Sequence, residues 1–371
     1  MTEKGLAEVV AAQTALSDID GKLGILSYCG YDIHDLAANA TFEEVVYLLH
    51  HQRLPDRDEL DELCEQLATE RDMSGFLRDL MPTLAAQTSP MSMLRTSISS
   101  ASAYDPDGWD QSPEANYRKA IRLIARTPTL IAAYHRLGTN QSLVEPNEKL
   151  PHAANFLNML TGQEPDQEAA RALDITLVLY ADHTMNASTF TARVIASTLS
   201  DIHSAITGAV AALKGPLHGG ANEEAWKLIE DVGAVDRVEP HIKDLLANKK
   251  KIMGFGHRVY KTEDPRATHL RQMSEELARA SGDDTYYRMS RRMEETVLAE
   301  KGLYPNVDFF AATVYHYLQI PTDLFTPVFS VSRMAGWTAH IMEQHADNRL
   351  IRPDSEYIGE HGLSWTPLDE R

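Results

Sequence analysis

Glu168–His183 reads E-A-A-R-A-L-D-I-T-L-V-L-Y-A-D-H. Its first half mixes charged and apolar residues, and its second half, to Tyr180, is apolar nearly all round. A helix with that pattern should be deeply buried, because no face is left for water. It runs directly into Ala181-Asp182-His183.

Outward from this stretch nearly everything reads as helix. On the N-terminal side only Gly21–Ile33 differs, with the glycine spacing and alternation of a small β-hairpin. Thr41 with Glu44 forms a capping box ahead of Phe42, Val45, Val46 and Leu49, and Asp56 with Glu59 repeats it. Ser112-Pro113 opens a helix through Ile121 and Ile124, bent or restarted at Pro128 and stopped near Gly138. On the other side, Ser188 is expected to open one helix and Ser200 to cap the next, which Gly215-Pro216 breaks. Pro240, Pro265 and Pro327 are each expected at a first helical position. Helices near Thr285–Glu300, Val307–Leu318 and Pro327–Gln344 precede an irregular tail from Asp347. The fold class is all-α with one small β element, without repeats or a low-complexity linker. Periodicity alone does not place a domain boundary.

The 371 residues, 43% hydrophobic, can bury a large core and are enough for two domains. The N-terminus lacks a signal-peptide pattern, and no apolar run approaches spanning length. Two cysteines, Cys29 and Cys64, form neither a disulfide framework nor C-x-x-C. A reducing cytoplasm is the expected compartment. Net charge is -19, a balance that suits a high-salt cytoplasm, where self-repulsion is screened; an ordinary acidic protein is the alternative.

Against that acidity, Lys249–Arg266 (K-K-K-I-M-G-F-G-H-R-V-Y-K-T-E-D-P-R) holds six Lys or Arg against Glu263 and Asp264. It also carries His257 among Gly254, Gly256 and Arg258. Asp264 and Pro265 read as N-cap and first residue of a helix, with Arg266 in its first turn. A local basic island suggests a small anionic ligand, whereas a nucleic-acid surface would need a broad basic face. The lone G-x-G, outside any β-α-β pattern, is no dinucleotide fingerprint. A solvated basic loop is the plain alternative.

Three further places carry chemistry. His218, in G-P-L-H-G-G-A-N, lies just before a helix N-terminus, which should keep it neutral and able to donate to a carbonyl; a turn histidine between glycines is the alternative. Asp308, in N-V-D-F-F, sits in a first helical turn, a position acidic residues favour for dipole reasons alone, which is the plain alternative. Neighbouring phenylalanines would raise its pKa, and the helix dipole would lower it. Arg333 lies in an otherwise apolar helix and calls for an anionic partner, which could be a structural Asp or Glu; Arg352 follows in the tail. His340 and His345 are five apart, and metal-ligand spacing is missing, so metal catalysis is not expected.

Taken together and in order, the segments G-L-A-E-V-V (5–10), G-Y-D-I-H-D-L-A (30–37), A-D-H-T-M-N-A-S-T-F-T-A-R-V (181–194), G-P-L-H-G-G-A-N-E (215–223), I-M-G-F-G-H-R-V-Y-K-T-E-D-P-R-A (252–267), N-V-D-F-F (306–310) and L-F-T-P-V-F-S-V-S-R-M-A-G-W (324–337) resemble citrate synthases over essentially the whole chain. The likeness is greatest to the short bacterial and archaeal form, without the N-terminal extension of the NADH-inhibited type, so no such control is expected. The resemblance implies a large helical domain (1–218, with return and tail 326–371), a smaller helical domain (219–325) and an obligate homodimer. It implies His218, His257 and Asp308 as the catalytic three, with His183, Arg266, Arg333 and Arg352 holding oxaloacetate and citrate, Arg352 reaching into the partner's site. Lys249, Lys250, Lys251, Arg258 and Lys261 would surround the phosphates of coenzyme A, a co-substrate; no metal or redox cofactor is implied. Cys29, Thr184 and Asp354 depart from the usual Arg, Glu and Arg, and Asp354 could compete for Arg352. Two rivals are 2-methylcitrate synthase, using propionyl-CoA, and an all-α scaffold that has lost catalysis; against the latter, all three catalytic residues are present.

Overall fold

The computed structural model describes residues 5–6 and 9–371; Ala7 and Glu8 of the G-L-A-E-V-V segment lie outside the described residues, as do 1–4. The β element is larger than a hairpin. β1 (Ser17–Asp20), β2 (Ile25–Tyr28) and β3 (Tyr31–Asp32) form one antiparallel sheet in that order, with Ser17 opposite Tyr28 and Ser27 opposite Asp32. The rest is helical: α1 (Ile33–Asn39), α2 (Phe42–His51), α3 (Arg57–Thr69), α4 (Gly75–Gln87), α5 (Pro90–Ala101), α6 (Pro113–Gly138), α7 (His152–Thr161) and α8 (Gln167–Tyr180). After the Ala181-Asp182-His183 loop come α9 (Ala187–Ala196), α10 (Ile202–Leu213), α11 (Ala221–Val232), α12 (Val238–Ala247), α13 (Pro265–Ser281), α14 (Thr285–Lys301), α15 (Val307–Tyr317) and α16 (Phe325–Ala346).

Both capping boxes form as read, Thr41 with Glu44 and Asp56 with Glu59. Other helix starts differ by a residue or two. Asn186, not Ser188, caps α9 by accepting from the Thr189 amide, and Asp201, not Ser200, caps α10 through the Ser204 amide. Pro240 and Pro327 are third helical residues, Pro265 a first one. The physical reason is that the first turn's amides have no intrahelical partner, so proline fits throughout it. α6 does not restart at Pro128: it runs unbroken, its flanking Ile124, Leu130 and Ile131 buried. Packing of that stripe outweighs one lost ladder bond.

α16 is the spine. It is buried along nearly its whole length and packs on α2, α6, α8, α9 and α10. At Gly336 it passes so close to Ala181 that an added Cβ would lie 2.3 Å from the Ala181 carbonyl oxygen, and the Gly336 amide donates to that oxygen at 3.1 Å. Only glycine allows that approach. It brings Arg333, one turn earlier, beside the end of α8.

Candidate active site

Three helix termini and one loop converge where α8 ends. α13 begins with Asp264, whose Oδ1 accepts the Arg266 amide at 3.1 Å. Arg266 is buried in the first turn, where the helix dipole disfavours a cation. Asp264 offsets this with a fork: Arg266 Nε donates to Oδ1 at 2.9 Å and Nη2 to Oδ2 at 2.7 Å. α15 begins with Asn306, whose Oδ1 accepts the Asp308 amide at 3.0 Å.

The loop bearing His257 is stitched to the start of α15. The Asn306 amide donates to Gly254 O at 2.9 Å, the Gly256 amide to Tyr304 O at 2.9 Å, and Asn306 Nδ2 to Gly256 O at 3.1 Å. Gly254 has φ +84°, and a Cβ there would meet Phe309 at 2.9 Å. The two glycines of G-F-G therefore serve this strand-like pairing, which fixes His257 relative to Asp308.

Burial and hydrogen bonds set the protonation of each imidazole. His257 Nδ1 accepts from the Val259 and Tyr260 amides at 3.0 and 3.2 Å. An amide can only donate, so the neutral ring carries its proton on Nε2. Burial, then the Arg266 charge, lowers its pKa to about 4. His218 Nε2 lies 2.8 Å from the Ser188 hydroxyl and 3.3 Å from the Ser188 amide; the amide can only donate, so Nε2 accepts and the proton sits on Nδ1. Burial, then Arg333, takes it also to about 4. The helix N-terminus that holds His218 is that of α9, through Ser188, rather than that of α11 as the sequence suggested. His183 is buried, with Nε2 3.2 Å from the Tyr260 hydroxyl and its ring centroid 5.4 Å from that of His257. Burial, then Arg266, His257 and Arg333, holds its pKa well below the usual histidine range.

Arg333 is the buried cation among them. Its Nε donates to Tyr180 O at 2.7 Å, and its guanidinium lies 4.6 Å from the centre of the Phe329 ring. The anionic protein partner that the sequence called for is not there: among the described residues Arg333 forms no ion pair. Asp182 eases its charge only from a distance, while bonded to Ser17 and His340. Burial first lowers the Arg333 pKa to about 10, leaving it a cation at neutral pH with terminal nitrogens open to an outside anion.

Asp308 is half-buried, and its Oδ1 accepts from the Tyr180 hydroxyl at 3.0 Å. The contest between burial and favourable partners is settled here. Burial, the largest influence, raises its pKa from 3.8 to about 6, against the pull of Tyr180, Arg266 and Arg333. A carboxylate so tuned is ionised at neutral pH and still basic enough to take a proton from carbon.

Not every expected residue is gathered here. Arg352 is 76% exposed in the tail and lies 3.5 Å from Asp354, the very residue expected to compete for it. Lys249, Lys250, Lys251, Arg258 and Lys261 are exposed beside the His257 loop. No group of three or more metal-ligating side chains occurs among the described residues. Sequence reasoning missed Tyr180, Tyr260 and Ser188 as site partners. A tyrosine ending an apolar helix, directly before A-D-H, was the one available signal.

The open Arg333 guanidinium, a carboxylate near pKa 6 and two neutral imidazoles make an arrangement capable of acid–base chemistry on a small anion. A family model described as "Citrate synthase, C-terminal domain" matches residues 5–354. Citrate synthase 2 of Bacillus subtilis is 50% identical over 99% of both chains, and the citrate synthase of Haloferax volcanii 49% identical over 100% of this chain and 99% of its own. The 2-methylcitrate synthase of Shewanella oneidensis is 41% identical over 100% and 98%. The crystal structure of citrate synthase from Pyrobaculum aerophilum superposes with a TM-score of 0.93 at 39% identity, covering 99% of this chain and 95% of that one. The chain belongs to the citrate synthase family.

Proposed function

We propose that the enzyme condenses acetyl-CoA with oxaloacetate and hydrolyses the resulting citryl thioester to citrate and free coenzyme A. The observation that carries this reading is the protonation pattern: a carboxylate near pKa 6 beside two neutral imidazoles whose protons sit on opposite ring positions. Asp308 takes a proton from the acetyl methyl while His218 Nδ1–H donates to the thioester oxygen, stabilising the enol. The enol carbon attacks the ketone carbon of oxaloacetate. His257 Nε2–H donates to the ketone oxygen as it becomes a hydroxyl. His183, Arg266 and Arg333 hold the dicarboxylate, with Arg352 of a second copy. Water then attacks the thioester carbonyl and the thiol leaves. The steps are redox-neutral and use no metal; coenzyme A enters as co-substrate, its phosphates met by Lys249, Lys250, Lys251, Arg258 and Lys261.

The working unit is a homodimer. Supporting this, the tail beyond Asp347 exposes Ile358, Leu363, Trp365 and Leu368, apolar side chains that another copy would cover. Residues 219–325 act as a smaller domain: α12 packs on α14, α15 on α11, α13 and α14, while α13 touches α1 and α8, and α11 touches α16. A hollow of about 470 Å³ lies on that seam between the first half of α8 and the second half of α13, away from Tyr180 and Arg266; movement of the smaller domain along the seam would exclude water from the enol. The cytoplasm is the proposed compartment; no helix among the described residues is long and apolar enough to cross a membrane.

The likeness to a 2-methylcitrate synthase makes the acyl group the point to test. With saturating oxaloacetate, kcat/KM for acetyl-CoA should exceed that for propionyl-CoA by about tenfold or more, the discrimination one methylene allows. A preference for propionyl-CoA would reassign the substrate.

The net charge of -19 supports adaptation to a high-salt cytoplasm. Thermal unfolding should occur at lower temperature in dilute buffer than in molar KCl, where like-charge repulsion is screened. A Tm independent of salt removes that part of the proposal.

A further inference from the structure

Tyr180 touches both halves of the site with different atoms. Its hydroxyl donates to Asp308 Oδ1 at 3.0 Å, and its backbone carbonyl accepts from Arg333 Nε at 2.7 Å. Its ring is buried and stands edge-on to Phe329, centroids 4.6 Å apart, and that phenylalanine in turn carries the Arg333 guanidinium. Asp308 Oδ2 has no hydrogen bond among the described residues and is not sealed from solvent. The phenol therefore takes one carboxylate oxygen and leaves the other for chemistry. Burial keeps the phenol protonated, so it can only donate to an ionised carboxylate.

We infer that Tyr180 is the positioning residue of the condensation, its hydroxyl fixing which Asp308 oxygen meets the substrate and moderating the basicity of that carboxylate, while its carbonyl holds the arginine clamp in register. The inference rests on the proposed function, in which Asp308 is the base. The other groups facing Asp308 are Arg266 and Asp264 at the start of α13, Arg333 on α16 and Tyr315 on its own helix. None of these donates a hydrogen bond to Asp308, so the tyrosine hydroxyl is its sole side-chain donor among the described residues.

Tyr180→Phe removes only the hydroxyl and keeps ring and carbonyl. A donor to the ionised form lowers a carboxyl pKa, so its loss raises it. The acid limb of kcat/KM for acetyl-CoA should move up by about one unit. With the wild-type limb near 6, the deficit of the variant should be about fivefold larger at pH 6 than at pH 9, where only the lost positioning remains. KM for oxaloacetate should be unchanged. Tyr180→3-fluorotyrosine, a stronger donor, should move the limb the opposite way and also covers the case in which the phenylalanine variant fails to fold. A loss of equal size at every pH, or superimposable profiles for wild type and both variants, overturns the inference. The proposed function is judged separately, by whether wild type releases thiol from acetyl-CoA with oxaloacetate in the same assay.

Discussion

Asp308→Asn should lower kcat by about 10²–10⁴-fold, the range a positioned general base supplies. Oxaloacetate affinity should stay near wild type, because Arg266, Arg333 and His183 are untouched. The same substitution should stabilise the fold at neutral pH. The Asp308 pKa is raised from 3.8 to about 6, chiefly by burial, so the folded protein holds this proton to higher pH than the unfolded chain. Stability from this group is therefore fully present below about pH 4, falls as pH rises through 6, and stays lowered above. Two units correspond to at most about 3 kcal/mol at pH 8. Asparagine has no charge to desolvate, so its Tm should exceed that of wild type at pH 8 and converge with it near pH 4. Turnover within tenfold of wild type, or lost oxaloacetate binding with turnover kept, contradicts the role.

Arg352→Ala carries the second large effect. The guanidinium is exposed in a tail of irregular structure, and its pairing with Asp354 at 3.5 Å is a surface contact of little worth. Stability should change little. Oxaloacetate affinity should fall by about 10–100-fold, since a charge-assisted contact in a closed site is worth about 1.5–3 kcal/mol. If Arg352 serves the partner's site, mixing Arg352→Ala with Asp308→Asn under subunit exchange creates heterodimers with one intact site. Random pairing then restores up to about a quarter of wild-type activity. Verified heterodimers without activity would place the arginine in its own chain's site or in neither.

How much of this was legible before any coordinates follows from which forces act locally. The capping boxes at Thr41 and Asp56, the buried character of α8 and the Asp264-Pro265 start of α13 depend on neighbours in sequence, and all formed as read. The helix does not restart at Pro128 because the burial that carries α6 across it is contributed by other helices. The family resemblance named candidate site residues, but the sequence alone could not say how Asp308 would titrate. That balance depends on burial by α8, α13 and α16, elements distant in the chain. The same holds for His218. The turn around it was evident, while the amide that fixes its tautomer belongs to Ser188, thirty residues away. Tyr180 looked like one more apolar residue, and only the folded chain brings its hydroxyl to Asp308.

The central claim is that these residues make a carbon–carbon bond between an acetyl thioester and oxaloacetate. The most direct measurement is free thiol and citrate, followed together after purified enzyme is mixed with acetyl-CoA, with and without oxaloacetate. The account predicts that thiol and citrate appear in equal amounts, only when both substrates are present, and that both cease in Asp308→Asn. Thiol release without oxaloacetate, or thiol without citrate, would make the protein a thioester hydrolase and contradict the account.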